Sequence, residues 1–81
     1  NLPEIAGALI ADRPELAEPE FEEELSDAAK KLQAIIVYRR IPPKGRRASL
    51  KEFMRLNDYP ADVTNPDDIL ELSAIAKELL Q

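Results

Sequence analysis

Seven prolines, at positions 3, 14, 19, 42, 43, 60 and 66, limit this chain more than any other feature. Inside a helix, proline removes a hydrogen bond and collides with the preceding turn; inside a sheet it breaks the ladder. Regular elements must therefore begin at a proline or end before one. The apolar pattern between the prolines then decides what each stretch becomes.

The opening stretch "LPEIAGALIAD" has Leu2, Ile5, Ala6, Leu9 and Ile10 at three- and four-residue spacing, which predicts a short helix with one apolar face. Pro3 suits a first helical turn, and Glu4 suits the positive end of the dipole. Gly7 weakens the helix and would allow a neighbour to come close. Arg13 precedes Pro14 and is biased out of the helical region, so "DRPELAEP" ends the element.

The next stretch, "EFEEELSDAAKKLQAIIVYRR", predicts one long helix from about 19 to 39. Phe21, Leu25, Ala28, Ala29, Leu32, Ile35 and Ile36 form its stripe. Its acids precede its bases, the order that opposes the helix dipole, and Asp27 and Lys31 make a favourable i,i+4 pair. The rival reading ends this helix near residue 33 and makes "AIIVYRRI", residues 34–41, a strand, because β-branched residues favour strands. No second convincing strand is present to pair with it.

"IPPKGRRA" predicts a loop with polyproline II character at Pro42–Pro43. "SLKEFMRLN" predicts a helix opened by a capping box. In it the Ser49 hydroxyl meets the Glu52 amide and the Glu52 carboxylate returns to the Ser49 amide. Asn57 is the expected C-cap. After the loop "DYPADVTNP", a last helix starts near Pro66, capped by Thr64 or Asn65, with Asp67 and Asp68 facing the dipole. Ile69, Leu72, Ile75, Ala76 and Leu79 make its stripe, widened by Leu70 and Leu80.

Together these segments predict an all-α fold: a small, irregular four-helix domain spanning residues 1–81. The alternative is α+β, with a strand near residues 34–41. Eighty-one residues suffice for one modest core. The chain opens on Asn1 rather than Met, as expected of a processed chain or a fragment of a longer one. With four aromatics and no tryptophan, that core must be aliphatic.

Composition also narrows the chemistry. There is no histidine and no cysteine, so the usual general base, the thiolate nucleophile and the commonest metal ligands are missing. Carboxylates abound, but they fall at helix starts and polar faces, where capping and solubility account for them. "PPKGRRAS" lacks the spacing of a phosphate loop. An EF-hand loop from Asp58 needs an oxygen ligand, a glycine and a glutamate where Pro60, Val63 and Ile69 stand. Neither Asp62 nor Asp67 and Asp68 repairs that pattern. The expectation is a non-enzyme with no cofactor and no metal. No apolar run approaches the roughly 20 residues of a membrane span, and no signal-peptide pattern opens the chain. Lack of cysteine fits a cytoplasmic setting.

The net charge of −5 conceals three blocks. Residues 1–29 hold nine acids against Arg13, residues 30–56 nine bases against Glu52, and residues 57–81 six acids against Lys77. Segregated charge orients association, so an adaptor or regulatory module for protein–protein interaction is the expected function. The basic stretch would meet an acidic surface through Arg39, Arg40, Lys44, Arg46 and Arg47. Alternatively, the acidic stretch 18–24 (Glu18, Glu20, Glu22, Glu23, Glu24) would meet a basic one. Self-association of acidic on basic regions is a variant. The two blocks neutralising each other within one molecule is the plainer outcome. The alternative function is nucleic-acid binding by residues 38–47, with those cations on phosphates and Tyr38 stacked on a base. Against it stand the acidic overall charge and flanks that would repel a polyanion.

One short motif remains. "RRASL", Arg46 to Leu50, resembles the substrate consensus of basophilic kinases of the cyclic-AMP-dependent type. The resemblance covers five residues and marks Ser49 as a candidate phosphorylation site. It implies no family membership.

Overall fold

The computed structural model describes residues 2–60 and 66–81. Four α-helices run α1 Leu2–Asp12, α2 Glu22–Arg40, α3 Leu50–Leu56 and α4 Pro66–Leu79, and no strand occurs among the described residues. The fold is all-α, as the apolar spacing predicts.

Three single 3-10 turns fall where the prolines interrupt the helices: Pro14–Ala17, Pro19–Phe21 and Pro43–Gly45. Arg13 is extended at φ −133° and ψ 90°, the restriction that a following proline imposes. The stretch expected only to break the chain therefore has structure of its own, and it buries Leu16 in the core. It also delays α2: residues 19–21 form a tight turn, and the α-helix proper starts at Glu22.

Helix α2 is the hub, with α1, α3 and α4 each packed against it. Its 19 residues span about 28 Å. Residues 34–40 are its last two turns, which overturns the strand alternative for 34–41. Ile35 and Ile36 are buried as helical residues, and that burial outweighs the β-branched preference where no partner strand exists. Ala34 is fully buried too, although it lies off the expected stripe, because a hub helix buries more than one face.

The main core joins Ile5 and Leu9 of α1, Leu16, Ala29, Leu32, Ile35 and Ile36 of α2, and Leu72, Ile75 and Ala76 of α4. It is aliphatic, as expected from the scarcity of aromatics. Four expected stripe members lie outside it: Ala6 and Ile69 are half-buried, and Leu2 and Leu70 are mostly exposed. Gly7 faces open space rather than a close neighbour, so the expected close approach is not made. The α4 cap expected at Thr64 or Asn65, and the Asp67 side chain, lie outside the described residues.

At the other end, α3 closes by a motif that satisfies its orphan carbonyls. The Tyr59 amide donates to the Met54 carbonyl (2.9 Å) and the Asp58 amide to that of Arg55 (3.4 Å). Asn57 is the cap, as expected, and its side-chain amide donates to the Phe53 carbonyl at 2.9 Å. Asp58 occupies the left-handed position at φ 59°.

A candidate docking surface at the end of helix α2

The basic residues converge where α2 ends. Arg39 and Arg40 are exposed in its last turn, where cations suit the negative pole of the dipole. Ile41 then leaves the helix in extended conformation, with its amide donating to the Tyr38 carbonyl at 3.1 Å. Pro42 has the polyproline II geometry expected of it, φ −56° and ψ 144°. Pro43 instead starts a tight turn, fixed by Gly45 donating to the Pro42 carbonyl at 2.7 Å. That turn presents Lys44, and the chain returns through Arg46 and Arg47 to Ser49.

Two long-range contacts hold this loop to the helix. The Tyr38 hydroxyl donates to the Ala48 carbonyl at 2.6 Å. The Arg46 guanidinium donates from Nη2 to the Arg39 carbonyl at 2.9 Å and lies 5.4 Å from the centroid of the Tyr38 ring. Arg46 thus caps α2, satisfying one of the carbonyls a helix end leaves unpaired. Behind it, Tyr38, Phe53 and Tyr59 form a row, with ring centroids 5.3 Å and 6.2 Å apart. Three of the four aromatics therefore stand in one row, and Tyr38 is the one that bonds to the loop between α2 and α3.

This assigns the cations different roles. Arg46 is exposed but engaged at the helix end. Arg39, Arg40, Lys44 and Arg47 are exposed, and none of them forms an ion pair among the described residues. Tyr38, considered above for base stacking, is half-buried, with its ring against Phe53 and its hydroxyl on the backbone. Its anchoring role escapes sequence reasoning because the partners lie 10 and 15 positions away, beyond any local pattern.

Ser49 is exposed and caps α3, its hydroxyl accepting from the Glu52 amide at 3.2 Å. The return half of the expected capping box is not made. The Glu52 carboxylate turns instead to Arg55, whose Nε donates at 3.1 Å and whose Nη2 makes a second bond. A two-pronged guanidinium contact is stronger than a bond to one neutral amide. Arg55 accordingly holds the Glu52 carboxyl below its ordinary range.

The acids gather at the opposite end of α2. Glu18, Glu20, Glu22, Glu23 and Glu24 are all exposed, and none forms an ion pair among the described residues. The described ion pairs are elsewhere: Lys31 with Asp27 along α2 (2.8 Å), Arg55 with Glu52, and Arg13 with Glu71 (3.4 Å) between the end of α1 and α4. Glu71 has its carboxyl pushed up, first by a hydrogen bond with Asp12, then by burial, with the Arg13 charge opposing. Some 24 Å of helix separates Glu22–Glu24 from Arg39–Arg40. That is about three Debye lengths at physiological salt. No group of three or more metal-ligating side chains is found among the described residues; Asp62 and the Asp67 side chain lie outside them. Among the described residues, no helix is long and apolar enough to cross a membrane.

The chain matches no protein-family model, no curated protein and no solved structure.

Proposed function

We propose that this protein is a non-enzymatic interaction module whose basic end, Arg39, Arg40, Lys44 and Arg47 with Arg46 behind them, docks on an acidic protein surface. One observation carries the reading: opposite charges stand at the two ends of α2, too far apart to neutralise each other, with no described ion pair joining them. Unpaired charge held on a rigid helix end steers and orients an approaching partner. The loop is already fixed by Tyr38 and Arg46, so binding costs little further ordering. A protein partner is favoured over nucleic acid because Tyr38, the one aromatic in the patch, already has its ring against Phe53. The lack of histidine and cysteine supports a non-catalytic role, and the lack of cysteine a cytoplasmic one.

Fluorescence anisotropy with a labelled poly-glutamate peptide and a mixed-sequence single-stranded oligonucleotide, each at two salt concentrations, tests the proposal. It expects the peptide to bind, more weakly as salt rises, and to bind more tightly than the oligonucleotide. Tight, steeply salt-dependent oligonucleotide binding without peptide binding would replace it with the nucleic-acid reading. Binding of neither would overturn it.

A further inference from the structure

We infer that Ser49 is a phosphorylation site for a basophilic serine kinase, and that its phosphate turns the basic end off. The regulatory half of this inference rests on the docking reading; the modification half does not. In sequence, Ser49 follows Arg46, Arg47 and Ala48 and precedes Leu50. The other serines lack that setting: Ser26 follows three glutamates and a leucine, and Ser73 lies in "LELSAIA". In the structure, Arg46, Arg47 and Ser49 are all exposed. The segment lies between the turn ending at Gly45 and helix α3, with extended backbone at Arg46 (φ −81°, ψ 102°) and at Ser49 (φ −67°, ψ 164°). A kinase that reads arginines two and three residues before its serine needs such an accessible, extended strand. Three surface contacts must loosen for it to dock: Arg46 on the Arg39 carbonyl, Tyr38 on the Ala48 carbonyl, and the Glu52 amide on the Ser49 hydroxyl.

In the transfer, the Ser49 Oγ attacks the γ-phosphorus of Mg–ATP. The new O–P bond replaces the bond to the bridging oxygen of ADP, which leaves, and the hydroxyl proton passes to the kinase's carboxylate base. The product adds about −2 charge beside Arg46 and Arg47, taking a five-cation end from +5 to about +3. A nearby phosphate also competes for the guanidinium groups that an acidic partner would use.

The test incubates the folded chain with the catalytic subunit of a cyclic-AMP-dependent-type kinase and Mg–ATP, reading phosphate incorporation by intact mass. One phosphoryl group per chain is expected, abolished by Ser49→Ala and slowed by Arg47→Ala. Tyr38→Phe, which frees the Ala48 carbonyl, should speed it. No incorporation, or incorporation that persists in Ser49→Ala, overturns the modification site whatever the docking result. Phosphorylated chain should bind the poly-glutamate peptide roughly tenfold more weakly than unmodified chain. Equal affinity overturns the regulation alone, and no peptide binding by either form overturns the docking reading together with the regulation that rests on it, leaving the modification site standing on the mass result.

Discussion

Arg46 and Arg47 are adjacent in sequence and alike in exposure, yet among the described residues only Arg46 bonds to the fold. Its bond to the Arg39 carbonyl and its place over the Tyr38 ring should each contribute a fraction of a kcal/mol at such an exposed site. Arg46→Ala should therefore cost about 1 kcal/mol in urea unfolding, while Arg47→Ala stays within about 0.5 kcal/mol of the parent. Equal effects would show that Arg46 caps nothing. For the same reason Arg47, with Lys44, is the cleaner position for probing partner binding. Asp58 offers a second local test. It holds φ 59° at the end of α3, a conformation that costs most residues about 1–2 kcal/mol and glycine nothing. Asp58→Gly should raise stability by about 0.5–1 kcal/mol, read as a higher urea midpoint at unchanged slope.

At the scale of elements, the helices were legible because the apolar residues repeat at helical spacing and the prolines mark the breaks. Ile5, Leu9, Leu32, Ile35, Leu72 and Ala76 are buried as their periodicity requires. What was not legible depends on neighbours. Ala34 is buried by the several elements packed on α2, and Leu2 is exposed because it begins the first described turn. The basic end was visible as a run of cations. The division of labour within it was not, because Tyr38–Ala48 and Arg46–Arg39 are contacts across a loop. The Glu52 carboxylate likewise went to Arg55, one helical turn on, where a charged partner outcompetes the backbone amide. Gly7 gives a prediction at this scale. A Cβ there meets nothing within 4 Å, so no packing reason opposes a better helix former. Gly7→Ala should stabilise the protein by about 0.5–1 kcal/mol in thermal or urea melts. Destabilisation would mean that another surface needs that gap.

For the whole molecule, charge placement governs the response to pH. The carboxyl of Glu71 is raised above its ordinary value of 4.5 because it shares a hydrogen bond with Asp12. Folding therefore favours its protonated form. The stability this group gives is full below its unfolded pKa and is lost as pH rises through the higher folded pKa. Glu52 runs the other way: with its pKa lowered by Arg55, its contribution is present above 4.5 and lost as pH falls through the folded value. Glu71→Gln, which mimics the protonated group, should be more stable than the parent near about pH 7, with the gap narrowing towards about pH 5. A gap independent of pH would contradict the Asp12–Glu71 contact.

The proposed docking of an acidic partner on the exposed cations at the end of α2 has a direct test. It is the affinity for a poly-glutamate peptide of two fourfold variants, each checked for unchanged helical circular dichroism. One carries Arg39→Glu, Arg40→Glu, Lys44→Glu and Arg47→Glu; the other carries lysine at the three arginines and arginine at Lys44. Charge reversal should abolish binding, and the charge-preserving set should keep it within a few-fold of the parent. Binding that survives reversal would contradict the account.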